Sequence, residues 1–267
     1  MVEGAATISA LVITKNEAHN ISDCLESVKW VDEIIVVDAQ STDETVQLAK
    51  GFTEQVFVRQ WPGFGLQKNF GMEQATSDWI LIVDADERVS DELSEELKEF
   101  RTMPRIDGAA FRIARKNYFY GEWVQYGGAY PDYQIRLCRR GQATYNDVAV
   151  HENLIVDGAV NTLTGYLIHY TERQITDHFK KFSHYTTLAA LEKGKSRKRV
   201  SWYHLTCNPF VIFLKTYVLK KGFRDGTRGV IFSVFASMYT FVKYAKLFEQ
   251  QVVTDPSEQK PNSKSFS

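Results

Sequence analysis

The chain has 267 residues, 44% hydrophobic and 24% charged, which excludes a disordered or fibrous chain and leaves room for one large domain with an appendage. Its net charge of −1 hides a split: residues 1–171 carry 15 Lys/Arg against 26 Asp/Glu, a net of −11, and residues 172–228 carry 13 against 4, a net of +9. Three widely spaced cysteines, Cys24, Cys138 and Cys207, exclude a disulfide framework or a zinc pattern and fit a reducing cytoplasm.

The N-terminus lacks a basic segment ahead of an apolar run, so no signal peptide is expected. No uncharged apolar stretch reaches the roughly 18 residues of a membrane span, so a spanning helix is not expected either. Ile8 to Ile13 is short, apolar and β-branched, and reads as a buried strand. Asn20 can cap a helix with Ile21, Leu25 and Val28 on one face. Glu33 to Asp38 is a second buried strand, and Ser41-Thr42-Asp43 caps another helix. Gln55 to Arg59 is a short third strand, a helix runs from about Leu66 to Thr76, and Trp79 to Val83 is the fourth strand. Strands that are apolar throughout and alternate with helices predict an α/β open parallel sheet covered on both faces.

From Gly108 to Tyr170 short alternating segments predict mixed or antiparallel strands, with aromatics and glycines dense from Tyr118 to Tyr133. That density suits either a substrate-lining loop or an aromatic core. From Glu172 onward the spacing is helical. Pro209 can open one helix, over 209–221, and another covers 229–249. The polar tail over 254–267 reads as disordered. Three regions follow: 1–171, 172–253 and the tail.

Chemistry collects at the predicted strand ends, where open parallel sheets bind ligands. Lys15-Asn16-Glu17, Asp38 and Asp84-Ala85-Asp86-Glu87 all fall there. Three carboxylates in four positions after a buried strand make a poor structural choice and a good site for Mg²⁺ or Mn²⁺, which take hard oxygen ligands and bridge carboxylates to phosphates. The plain alternative is a solvated loop capping the next helix.

These clusters together resemble a family 2 glycosyltransferase of the GT-A fold, a Rossmann-like, mostly parallel central sheet flanked by helices. The matching pieces, in order, are Val12-Ile13-Thr14-Lys15-Asn16-Glu17, Val36-Val37-Asp38 with Ser41-Thr42-Asp43-Glu44-Thr45, Gln67-Lys68-Asn69-Phe70-Gly71, Asp84-Ala85-Asp86-Glu87 and Val150-His151-Glu152. The variants at the first, fourth and fifth pieces, with Lys220-Lys221-Gly222-Phe223-Arg224-Asp225-Gly226, are similar to the group that adds glucose to the inner core of lipopolysaccharide.

The resemblance implies a UDP-sugar donor. Asp38 would bind uracil or ribose, with Glu17 and the backbone near Thr14 lining the same pocket. Asn16 and Glu17 serve equally as helix caps. Lys68 would neutralise a diphosphate oxygen, the alternative being a solvated helix lysine. Asp86 would be the metal ligand, with Asp84 on ribose or a metal-bound water and Glu87 orienting the loop. An inverting displacement needs a carboxylate to take the acceptor's proton. Glu152, where the family more often has Glu-Asp and this chain has His-Glu, is one candidate, and Asp132 in Tyr130-Pro131-Asp132-Tyr133 is the other. His151 is either a further metal ligand or a hydrogen-bonded structural histidine. Arg136 and Arg139 are either phosphate contacts or surface strand arginines.

The basic run Lys193 to Arg199 and the apolar helices after it suit an anionic membrane surface, the alternative being a helical pair packed on the sheet. Nucleic acid fits poorly, because the first half is acidic and no nucleic-acid motif is present. The expected enzyme is a metal-dependent hexosyltransferase working on a lipid-linked saccharide at the inner face of the inner membrane. Its rivals are a polyprenyl-phosphate sugar transferase, whose ionised acceptor needs no base, and a non-catalytic nucleotide-sugar-binding protein. A nucleotidyltransferase would want a Gly-rich phosphate loop after the first strand, which is missing.

Overall fold

A computed structural model describes residues 5–146, 153–171, 175–195 and 199–254. The chain divides into two compact units, residues 1–123 with 129–171, and residues 124–128 with 172–267. The first unit runs β1 (Ile8–Thr14), α1 (Ile21–Ser27), β2 (Glu33–Asp38), α2 (Thr45–Ala49), β3 (Val56–Val58), α3 (Phe64–Gln74), β4 (Trp79–Asp84), β5 (Glu87–Val89), α4 (Asp91–Arg101), β6 (Ala110–Phe119), β7 (Glu122–Trp123), β8 (Asp132–Arg139), β9 (Ala143–Tyr145), β10 (Leu154–Val156) and β11 (Val160–Tyr170). A nine-stranded sheet follows the order β3-β2-β1-β4-β8-β6-β11-β5, with β7 on β6, and β9 and β10 pair separately.

β1, β2, β3 and β4 are mutually parallel, as apolar runs buried on both faces require. The second half is mixed: β8 runs antiparallel to β4 and β6, β11 is parallel to β6, and β5 is antiparallel to β11. Every residue of β1 is buried, and each such Ile, Leu or Val stabilises the fold by about 1.5–3 kcal/mol. The helices cover both faces. Trp79, Phe100 and Phe111 stack edge to face under one of them. On the other face α3 lies so close to β1 that a Cβ on Gly71 would stand 2.2 Å from Leu11 Cδ1. That close approach carries Lys68, one turn earlier, into the interior.

The second unit holds α5 (Ile175–Gly194), α6 (Trp202–Leu214), a π turn over Lys215–Leu219, a 3-10 turn over Gly222–Asp225 and α7 (Gly226–Thr254). Pro209 does not open a helix. It sits inside α6, which starts from a capping box between Ser201 and His204. α7 is also longer than the 229–249 expected from spacing. The segment 222–253 is long and apolar enough to cross a membrane, by length and composition alone, where no such helix was expected; its scattered lysines interrupt any uncharged run. The tail past Thr254 lies outside the described residues.

Candidate active site

Strand register sets the site. Thr14 pairs with Asp38, and Ile13 with Asp84, so the polar ends of β1, β2 and β4 form one row on the carboxyl edge. The first two loops are welded together there. Asn16, in the left-handed region at φ 54°, donates its N–H to Ser41 Oγ at 2.7 Å, and its Oδ1 accepts from Thr42 N at 2.8 Å. Asn tolerates that conformation because its short side chain bonds locally. The fully buried Asp38 accepts from Ser41 N at 2.8 Å and Ser41 Oγ at 2.5 Å. The Glu17 N–H donates to Thr45 Oγ1, and its carboxylate accepts from Asn20 Nδ2 at 2.7 Å. Asn20 makes no side-chain cap to α1; it also accepts from Arg88.

Thr14 Oγ1, Gln67 Oε1 and Asp84 Oδ1 are buried with no hydrogen-bond partner among the described residues. Buried polar atoms are normally bonded, so Thr14 Oγ1 and Gln67 Oε1 stand out at this edge, whereas Asp84 Oδ1 has the Lys68 ammonium 3.5 Å away.

Behind this rim lies a ladder of buried charge. Lys68 Nζ, with its side chain 6% exposed, stands 3.5 Å from Asp84 Oδ1 and 5.1 Å from the Tyr145 ring centroid. Arg136 donates to Asp84 Oδ2 at 2.5 Å and to Glu87 Oε1 at 2.6 Å. Arg115 reaches Glu87 at 3.3 Å and Asp132 Oδ2 at 2.6 Å. Burial would raise the Asp84 pKa, but Arg136 and then Lys68 hold it well below the usual carboxylate range. The same carboxylates, against the cost of burial, keep Arg136 firmly protonated. Lys68 and Arg136 are therefore neither solvated nor on the surface, contrary to the plain reading of each. Arg139 takes the structural role, stacked 4.6 Å over Trp79 and bonded to the Ile106 carbonyl.

Asp86 faces His169. Its Oδ2 stands 3.5 Å from Nε2, with side chains 20% and 16% exposed. His169 Nδ1 lies 2.7 Å from Asn117 Oδ1. Burial lowers the His169 pKa, yet the Asp86 and Glu87 carboxylates raise it above its ordinary value. Among the described residues no three His, Cys, Asp or Glu side chains gather into a metal cage. One carboxylate and one imidazole nonetheless suit an ion that draws its other ligands from phosphate and water, and Mn²⁺ accepts both donor types. The residues thus fit a divalent ion shared with a diphosphate.

Asp132 accepts from Arg115, Asn117 and Gln134. Burial works against its charge, but Arg115 and these bonds lower its pKa. A carboxylate so stabilised is a weak proton acceptor. His151 and Glu152 lie outside the described residues. Sequence reasoning missed His169, Asn117, Arg115 and Arg88. The available signal was one of position: polar residues interrupting apolar strands at the sheet's chemical edge.

Residues 9–153 match the family model described as glycosyl transferase family 2. The chain belongs to that family. The lipopolysaccharide core biosynthesis glycosyltransferase LpsC of Rhizobium meliloti is 31% identical over 92% of this chain and 93% of that protein. A glycosyltransferase of Rickettsia prowazekii is 31% identical over 90% of this chain and 86% of its own length. The fold is GT-A. The mannosyltransferase PcManGT of Pyrobaculum calidifontis, solved in complex with GDP-Man and Mn²⁺, aligns over 94% of this chain and 91% of that one with a TM-score of 0.52 at 14% identity. That last likeness is one of fold.

Proposed function

We propose that this family 2 enzyme moves a hexose, glucose from UDP-glucose, with inversion onto a lipid-linked saccharide, the inner-core heptose of lipopolysaccharide. The observation that carries the reading is the pairing of Asp86 with His169 beside the Lys68–Asp84–Arg136 ladder on the carboxyl edge. Kinship with LpsC over nearly the whole chain supports the acceptor class.

In this reading Thr14 Oγ1 takes a polar group of the donor and Asp84, paired with Lys68 and Arg136, lines the same pocket, with Asp38 and Glu17 holding the loops that frame them. Asp86 and His169 would hold a divalent ion, Mg²⁺ or Mn²⁺, which would supply neutralising charge for the departing nucleoside diphosphate. Lys68 adds a fixed cation close to that charge. Glu152, at the family's late acidic motif, would take the proton of the acceptor hydroxyl, and the hold of Arg115 on Asp132 makes that carboxylate the weaker of the two candidates.

The second unit is the membrane-facing part. Val230, Val234, Met238, Phe241 and Phe248 expose an apolar stripe along α7, at the spacing of one helix face. Opposite contacts hold α7 in its own unit: Ser237 Oγ donates to the Pro209 carbonyl, and Lys246 Nζ donates to Ser183, Thr186 and Thr187 of α5. A helix with one face bound and one apolar face bare, edged by lysine, suits the interface of an anionic inner membrane better than its core.

The test is a thermal-shift screen of UDP-, GDP- and TDP-sugars with and without Mn²⁺, because a ligand that binds the folded state raises its melting temperature. UDP-glucose with Mn²⁺ should give the largest shift, and glucose should then pass to heptose-terminated core acceptor. A larger shift with a GDP- or TDP-sugar would overturn the donor assignment.

A further inference from the structure

The buried amide of Asn117 lies on β6, the strand between the two flanks of the site. Register places His169 of β11 directly beside Asn117, and Arg115, two residues back on the same face, opposite Asp132 of β8. Asn117 Nδ2 stands 3.3 Å from the Ala129 carbonyl and 3.3 Å from Asp132 Oδ2. Neither can donate, so the amide nitrogen belongs there and Oδ1 must be the atom 2.7 Å from His169 Nδ1. An amide oxygen only accepts. His169 Nδ1 therefore carries the hydrogen, and in the neutral ring the lone pair is on Nε2, the atom that faces Asp86.

We infer that Asn117 is a positioning residue: one side chain fixes the His169 tautomer that leaves Nε2 open toward Asp86, and ties that ring to Asp132. The inference rests on the metal reading of Asp86 and His169. It makes Asn117 the joint between the Asp86–His169 pair and the Arg115–Asp132 pair.

The test begins with the wild-type protein. Its His169 ¹⁵N spectrum, assigned against His169→Gln and recorded where the ring is neutral, should show hydrogen on Nδ1; hydrogen on Nε2 would overturn the inference. Two variants then separate the two ends of the amide. Asn117→Leu removes the acceptor and should weaken Mn²⁺ binding in the presence of UDP, read by calorimetry, about 10–100-fold, the usual loss when the partner of a ligating histidine is removed. Asn117→Asp keeps an acceptor for Nδ1 but sets a second carboxylate beside Asp132. It should bind Mn²⁺ within a few-fold of wild type and lower kcat at saturating donor by about tenfold or more. Wild-type Mn²⁺ affinity in Asn117→Leu, or unchanged kcat in Asn117→Asp, would each count against the corresponding end. His169→Ala is the control for the metal reading. If it leaves Mn²⁺ affinity intact, that reading fails, while the ring spectrum still judges the tautomer.

Discussion

Asp84 and Asp86 are two positions apart and have different partners. Asp84 is pinned by two cations, whereas Asp86 faces a histidine. Asp86→Asn keeps the shape and removes the charge, so turnover should fall by about 10²-fold or more, the scale of losing one strong electrostatic stabiliser. Full activity in that variant, or in excess EDTA, would refute the metal role. Glu152→Gln should lower kcat by about 10²–10⁴-fold with donor affinity preserved, because a base acts only on the acceptor's proton. If Asp132→Asn is dead and Glu152→Gln is not, Asp132 is the base; if both are active, the acceptor is an ionised phosphate. The two aspartates were legible because a carboxylate cluster after a buried strand is locally improbable. Lys68 and Arg136 were named, but their burial was not legible, since it depends on partners 16 and 52 positions away across the sheet. His169 and Asn117 were invisible for the same reason: each is a single polar residue whose meaning appears only once β6 and β11 are in register.

At the scale of elements, the parallel half was legible and the mixed half only in outline. Runs of apolar residues at the heart of each strand announce β1, β2 and β4, but nothing local says that β8 inserts between β4 and β6. That insertion is what delivers Arg136 to Asp84 and Glu87. Removing one partner from a buried charge ladder strands the others, at about 3–5 kcal/mol. Arg136→Met should therefore destabilise by that amount at pH 7 in denaturant titration. The sign with pH is distinctive. In the wild type the Asp84 and Asp132 carboxylates are depressed, so the unfolded chain binds more protons below about pH 4 and stability drains away as pH falls through the folded values. In Arg136→Met Asp84 loses its nearer cation and keeps only Lys68, so it takes up a proton more readily and the penalty should shrink as pH falls from 7 to 5. An equal penalty at both would mean that lost packing, not lost charge, sets the effect. Helix ends were less legible than strands. Pro209 reads locally as a helix start, yet tertiary contacts carry α6 through it and Ser201 supplies the cap.

The whole molecule joins an acidic region, net −11 over residues 1–171, to a basic one, net +9 over residues 172–228, and on the proposed membrane reading that split governs how it meets a charged surface. An anionic leaflet repels the first and attracts the second, with each lysine or arginine near the surface contributing about 1 kcal/mol. Attraction of that kind reaches about 10 Å at 0.1 M salt and fades above it. The exposed apolar side chains of α6 and α7, Phe210, Val211, Leu214, Met238 and Phe241 among them, add a component that salt does not screen. Co-sedimentation with phosphatidylglycerol vesicles should accordingly show a large salt-sensitive fraction over a salt-resistant one. Changing Lys195, Arg197, Lys198 and Arg199 to Ser should remove mainly the first, and Met238→Ser with Phe241→Ser mainly the second. α7 would extend about 43 Å at 1.5 Å per residue, enough to span a bilayer, so alkaline carbonate extraction decides between lying on the membrane and crossing it. The contacts of Lys246 with α5 favour release into the supernatant, because a spanning α7 would have to carry Lys243 and Lys246 and their polar partners into the bilayer. Retention in the pellet would make α7 an anchor, and no binding at all would return the helical unit to a packing role and leave the acceptor free to be soluble.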